Sequence, residues 1–267
     1  GTAEAPETTD AEERPDRVLD SPSELTPRLR AILNLPDTDV DAEAFGTGNH
    51  PYTTARASAV GEMTPVDKEP WRITGKLFMR FGTQNFVCTA SVIDLNLLVT
   101  AAHCVHNFGQ EQDGFADAIS FQPARHESDQ PYGTWTGRTW YIPRAYFDGS
   151  DVCSPRAPGV VCENDVAVVV MEPDEDGRNL ADVVGRYEVT EFDEFGYAHF
   201  IGQRAGQITQ LGYPSRNFDG DKMIRSDSVG IWDDPFNVVW GSAQTGGSSG
   251  GPEIMNFGTE TSATGPS

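Results

Sequence analysis

Basic residues are scarce in this chain: 19 Lys and Arg stand against 41 Asp and Glu, a formal net charge of −22 over 267 residues. That balance argues against a protein built to grip the phosphate backbone of nucleic acid or an anionic membrane surface. Long apolar runs are missing as well. The longest near the centre, Val166–Met171, is strand-sized, against the roughly 20 residues that a helical membrane span requires. Cysteine is limited to Cys88, Cys104, Cys153 and Cys162, and neither C-x-x-C nor His-rich spacing occurs, which argues against a zinc centre. Four cysteines allow three disulfide pairings. Local bridges, Cys88 with Cys104 and Cys153 with Cys162, are expected, together with the oxidising compartment that disulfides need. Sustained helical periodicity is rare too. What is plentiful is punctuation, 27 Gly and 18 Pro between short apolar runs, which favours a turn-rich all-β protein.

Residues 1–57 differ from the rest. They hold twelve acidic and five basic residues with little alternation, and only Pro22–Leu35 has apolar residues at helical spacing. This segment reads as an acidic, propeptide-like leader. From about Trp71 the pattern switches to period two. Strands are expected at Ile73–Phe81, Phe86–Ile93, Leu97–Ala101, Ala118–Phe121, Thr134–Ile142 and Val166–Met171, enough to close one small barrel spanning residues 58–172. After a charged linker, Glu172–Gly185, five more are expected at Ala198–Ile201, Gln207–Gly212, Met223–Ile231, Asn237–Gly241 and Glu253–Asn256. They form a second unit over residues 173–267, one strand short of a matching barrel.

Three strings carry the chemistry. V-T-A-A-H-C at Val99–Cys104 ends an apolar strand with His103, one of five histidines. A strand end lets a side chain face a cleft while its backbone stays anchored. N-D-V-A-V-V at Asn164–Val169 puts Asp165 at the mouth of an apolar strand, where a carboxylate is partly desolvated and needs a partner to keep its charge. T-G-G-S-S-G-G-P at Thr245–Pro252 sets Ser249 among glycines. A serine is a poor nucleophile until a base takes its proton, and the base works best when a carboxylate holds its ring. Glycines also permit a tight backbone in which the amides of Gly247 and Ser249 converge on a developing oxyanion. Taken singly, a buried histidine, a strand-capping aspartate and a Gly/Ser turn are ordinary features.

Order decides between families. Gly247–Gly251 also satisfies G-x-S-x-G, the nucleophile elbow of α/β-hydrolases, but that arrangement needs a histidine after the serine and none follows His199. His, Asp, Ser is the order found on the double β-barrel. These strings resemble the trypsin-like serine endopeptidases, and more closely the bacterial branch that includes the glutamyl endopeptidases. The resemblance implies an all-β, chymotrypsin-like fold of two six-stranded Greek-key barrels. It implies His103 as general base, Asp165 as its orienting carboxylate, Ser249 as nucleophile, and Gly247 and Ser249 as the oxyanion hole. Cys88 and Cys104 match the disulfide that flanks the family's histidine. Weaker similarity runs from about residue 58 to 258, through Phe121–Ala124, Tyr132–Trp135, Leu211–Pro214 and Asn256–Gly258, and leaves out the leader.

Two departures from the pattern matter. Vertebrate-type trypsins carry an aspartate before the nucleophile; here Ser248 stands there, as in the bacterial branch, so a charge-driven activation switch has no acceptor. Ser58–Glu62 looks like a mature N-terminus. Only 18 residues follow Ser249, fewer than the family's remaining strands need, so the second barrel is expected to be incomplete at its C-terminus. Ala243 and Gln244 fall on the near wall of the substrate (S1) pocket, where an Arg/Lys-cleaving relative would have an aspartate at position 243. The expected activity is a secreted serine endopeptidase, monomeric, acting on protein or peptide substrates without metal or other cofactor. The rival expectation is a non-catalytic barrel of the same ancestry that binds a partner.

Overall fold

A computed structural model describes residues 51–57, 66–154, 161–189, 198–200, 203–215, 218–234, 237–255 and 257. Most of the leader, including Pro22–Leu35, lies outside the described residues, as do Ser58–Glu62 and residues 258–267.

Six strands close the first barrel: β2 (Thr74–Phe81), β3 (Gln84–Asp94), β4 (Leu97–Thr100), β5 (Ala118–Pro123), β6 (Trp135–Tyr141) and β9 (Ala167–Met171), joined in the order β2-β3-β4-β9-β6-β5. Every pairing is antiparallel. Alternation explains the closure. On β9, Ala167, Val169 and Met171 are buried while the residues between them are half-buried, and on β2 Leu77 and Met79 point to the same interior. The six expected strands match these within a few residues. Between β6 and β9 lie a short helix, α1 (Arg144–Asp148), and a two-residue hairpin, β7 (Cys153–Ser154) with β8 (Val161–Cys162).

The charged linker conceals an anchor. Leu180–Val184 forms a short helix, α2, whose Leu180 and Val184 are buried in the first core. Asn96 fixes its start by accepting the Leu180 N–H at 2.9 Å.

The second sheet contains β10 (Ala198–Phe200), β11 (Gln203–Gly212), β12 (Ile224–Asp234), β13 (Asn237–Val239) and β14 (Glu253–Ile254), and among the described residues it is open. Its sixth strand comes from the stretch expected to be leader. Tyr52–Arg56, β1, pairs antiparallel with β12, Thr54 opposite Ser226. All five of its residues are exposed, so this edge strand is held chiefly by main-chain bonds, with the Thr54 hydroxyl donating to the Arg225 carbonyl at 3.0 Å, and carries no apolar alternation to announce it. The architecture is the mostly-β, chymotrypsin-like one.

The two units meet across a second apolar cluster in which Ala124 packs with Leu211, Tyr213 and Met223. The Tyr213 hydroxyl donates to the Arg125 carbonyl at 2.9 Å. Lys76, buried on the outer face of β2, reaches Asp221 at 3.3 Å.

Candidate active site

Strand pairing brings the first two strings together. β4 and β9 run antiparallel with Thr100 opposite Ala167, so the residues just after β4 and just before β9 emerge at the same end of the barrel. Ala101 is extended, and the chain then makes a 3-10 turn over Ala102–Cys104 that presents His103. Asp165 meets it twice. Its Oδ2 lies 2.7 Å from His103 Nδ1, and its Oδ1 accepts the His103 backbone N–H at 2.9 Å. A carboxylate accepting from Nδ1 places the proton on that nitrogen and leaves Nε2 as the basic one.

Burial alone would raise the Asp165 pKa. The charge of His103 and the hydrogen bonds from its ring, its backbone and Ala102 more than offset this, so the carboxyl is held below its ordinary range.

Two disulfides stiffen this corner. Cys88–Cys104 ties β3 to the His103 turn, and Cys153–Cys162 closes the hairpin just before Asp165. Both expected bridges are present. Asp151, which the sequence reading passed over, adds to the second. It accepts the Asn164 N–H at 2.9 Å on one oxygen and the Asn164 side-chain amide at 2.7 Å on the other. Cys88, His103 and Cys104 bring ligand-type atoms within 4.8 Å of one another, but both sulfurs are spent in the disulfide and neither is a thiolate.

The third string arrives from the second sheet. Gly247 has φ +99°, and a Cβ there would lie 2.6 Å from the Tyr213 carbonyl. Gly250 has φ +74°, and a Cβ there would lie 2.1 Å from Thr100 Oγ1 and 2.5 Å from the Ala101 nitrogen. Only glycine lets the loop press this closely on the end of β4. The Ser249 carbonyl accepts the Thr89 N–H at 2.9 Å and lies 3.7 Å from Cys104 Sγ. Ser249 is therefore seated beside the turn that carries His103, and His103, Asp165 and Ser249 are gathered at one seam between the two units. Ser248 turns inward, its hydroxyl donating to the Thr245 carbonyl at 2.6 Å.

Ala243 and Gln244 lie alongside β12. Ala243 is half-buried and its N–H donates to Ser226 Oγ at 3.4 Å. Gln244 is buried, with Nε2 donating to the Ile224 carbonyl at 3.0 Å. Of the two, only Ala243 keeps appreciable access to solvent. His106 and His126 are both buried. The His106 ring is bonded to the Glu111 carbonyl, meets Phe115 edge-on and lies tilted against Phe147.

A closed barrel, a second β-sheet and a seam holding a His–Asp pair beside a glycine-braced serine define a two-unit, mostly-β protein. The Trypsin family model matches residues 60–263, most of the length, and the chain belongs to that family. The crystal structure of protease Anisep from Arthrobacter nicotinovorans is similar at 25% identity and TM-score 0.54, over 72% of this chain and 81% of that one. A thermostable serine protease, AL20, from an extremophilic microorganism shares the fold at 24% identity and TM-score 0.56, over 70% and 80%. A Glu endopeptidase shares it at 18% identity and TM-score 0.54, over 78% and 81%. An extracellular metalloprotease of Bacillus subtilis (strain 168) is 31% identical over 84 residues, 31% of this chain and only 26% of that relative.

Proposed function

We propose that this chain is a serine endopeptidase working through His103, Asp165 and Ser249. The observation that carries the reading is the 2.7 Å contact of His103 Nδ1 with Asp165 Oδ2, made beside the main-chain anchor of Ser249. His103 Nε2 takes the Ser249 hydroxyl proton as Oγ attacks the substrate carbonyl. The imidazolium so formed is balanced by the Asp165 carboxylate, and the tetrahedral oxyanion is met by the N–H groups of Gly247 and Ser249. His103 then protonates the leaving amine as the C–N bond breaks. Water, activated by the same nitrogen, releases the acyl group from Ser249. Ala243 forms part of the wall beside the P1 side chain, and its lack of charge speaks against a preference for Arg or Lys there. An acidic P1 preference rests on the resemblance to the glutamyl endopeptidases alone.

The Bacillus relative is named a metalloprotease, yet the residues above supply an acyl-transfer route with no metal in it. The two disulfides support an extracytoplasmic setting. The acidic stretch ahead of β1, residues 1–50, keeps the propeptide-like reading. A purely binding role is not favoured, since all three chemical residues are present. Fluorophosphonate labelling tests the proposal: the chain should be labelled at Ser249, and Ser249→Ala should abolish labelling. An unlabelled chain, or a labelled Ser249→Ala variant, refutes it.

A further inference from the structure

Resting on the reading of Ser249 as nucleophile, we infer that the hydroxyls of Thr89 and Ser215 are positioning residues. They hold the oxyanion loop by neutral hydrogen bonds, in place of the charge-based switch that Ser248 cannot serve.

A peptide unit is planar and trans, so fixing a carbonyl in one direction aims the N–H of the next residue in the opposite one. Four successive carbonyls of the loop are fixed in this way. Gly246 O accepts both the N–H of Ser215 at 2.8 Å and its hydroxyl at 2.7 Å. Gly247 O accepts the Thr89 hydroxyl at 3.0 Å. Ser248 O accepts the Gly251 N–H at 2.8 Å, and Ser249 O accepts the Thr89 N–H at 2.9 Å. The first and third of these set the planes that carry the Gly247 and Ser249 N–H groups, the two proposed oxyanion donors. The second fixes the plane between them, so neither donor can rotate without disturbing it.

Thr89 joins the units. It lies on β3 of the first barrel, 158 residues from Gly247. Its hydroxyl is a relay: it accepts the Tyr213 N–H at 3.1 Å from the end of β11 and passes its own proton toward Gly247 O. Its carbonyl is pinned by the Thr100 hydroxyl at 2.8 Å. Thr89 is completely buried, so water cannot take over if the hydroxyl is lost. Thr89, the barrel residue that receives Ser249, thus also holds the middle of the loop. No ionisable group takes part in this brace, so it persists across any pH at which the chain is folded.

The test uses the full chain and four proteins: wild type, Thr89→Val, Thr89→Ser and Ser215→Ala. Thr89→Val keeps the shape and loses the relay, whereas Thr89→Ser restores a hydroxyl. Readouts are kcat and KM on a peptide ester, the rate of fluorophosphonate labelling, and hydrogen–deuterium exchange of the Gly246–Gly250 amides. Thr89→Val should lower kcat and the labelling rate on the order of 10- to 100-fold, with KM within about 2-fold and faster loop exchange. Thr89→Ser should recover most of the loss. Ser215→Ala, at a half-buried position that tolerates truncation, should lower kcat on the order of 10-fold and serves as the deciding variant if Thr89→Val does not fold. A reactive wild type whose Thr89→Val and Ser215→Ala forms label equally fast overturns the brace alone. Failure of Thr89→Ser to exceed Thr89→Val also overturns it. A wild type that does not label at all sinks the Ser249 reading, and the brace with it.

Discussion

Replacing Asp165 by Asn isolates what the carboxylate contributes. The side chains have nearly the same volume, and the amide oxygen can still accept the His103 backbone N–H that Asp165 Oδ1 now takes at 2.9 Å. The fold should therefore survive. The other oxygen becomes an NH2 group facing His103 Nδ1 at the 2.7 Å contact, where it can only donate. Nδ1 must then present its lone pair, which moves the ring proton to Nε2 and removes the base proposed for Ser249. The negative charge that would balance the imidazolium is lost as well. In triads of this type the equivalent change costs about 10⁴-fold in kcat, which corresponds to about 5.5 kcal/mol of transition-state stabilisation. The assay is steady-state hydrolysis of an activated peptide ester near pH 7, with circular dichroism to check folding. Stability carries a pH signature as well. The folded Asp165 pKa lies below its unfolded value. The contribution is therefore complete above about pH 4 and lost as pH falls through the folded pKa, and Asp165→Asn should flatten that acid limb. A folded Asp165→Asn protein retaining activity within 10-fold of wild type, beside an inactive Ser249→Ala, would refute the tautomer argument.

Three further outcomes follow from the packing. Gly250→Ala must overcome a φ of +74° and a Cβ placed 2.1 Å from Thr100 Oγ1; it should cost on the order of 2–4 kcal/mol and slow Ser249 labelling, which urea denaturation and the labelling rate would report together. Burial lowers the pKa of Lys76, against the opposing charge of Asp221. Lys76→Met should therefore leave stability within about 1 kcal/mol, while Asp221→Ala, which strands the ammonium, should cost more; denaturation midpoints of the two variants that came out in reverse order would defeat that reasoning. Burial also lowers the His106 pKa, more than its bond to the Glu111 carbonyl restores. The unfolded imidazole then binds its proton first, so stability is full above about pH 6.5 and falls as pH drops toward the folded pKa, at no more than about 1.4 kcal/mol per pH unit. His106→Phe should reduce that slope between pH 7.5 and 5, as followed by chemical denaturation.

The first barrel was legible because its strands are half-buried and so alternate: Ala167, Val169 and Met171 face inward while Val168 and Val170 do not. The convergence of His103 with Asp165 was legible at one remove. Two apolar strings that pair antiparallel must bring the end of one beside the start of the other, and Thr100 opposite Ala167 fulfils that. β1 left no such trace, because an edge strand with every residue exposed is held chiefly by main-chain bonds that any sequence can make. α2 was hidden for a related reason. Its two buried residues, Leu180 and Val184, sit in a stretch whose composition is set by the solvent-facing charges around them.

The brace on the serine loop shows where sequence reasoning stops. Glycines at 247 and 250 signal a tight loop, but what makes each one necessary is a neighbour far along the chain, the Tyr213 carbonyl for one and the Thr100–Ala101 end of β4 for the other. Thr89 is further from view. Its neighbours in the sequence, Cys88 and Ala90, are buried in the first core, and the residue between them on an alternating strand must face outward. An outward hydroxyl ordinarily meets water. Here the second unit covers that face, so the hydroxyl is withdrawn from water and compelled to find protein partners, which are the Tyr213 N–H and the Gly247 carbonyl. Its specificity thus comes from a docking event between units rather than from any local pattern.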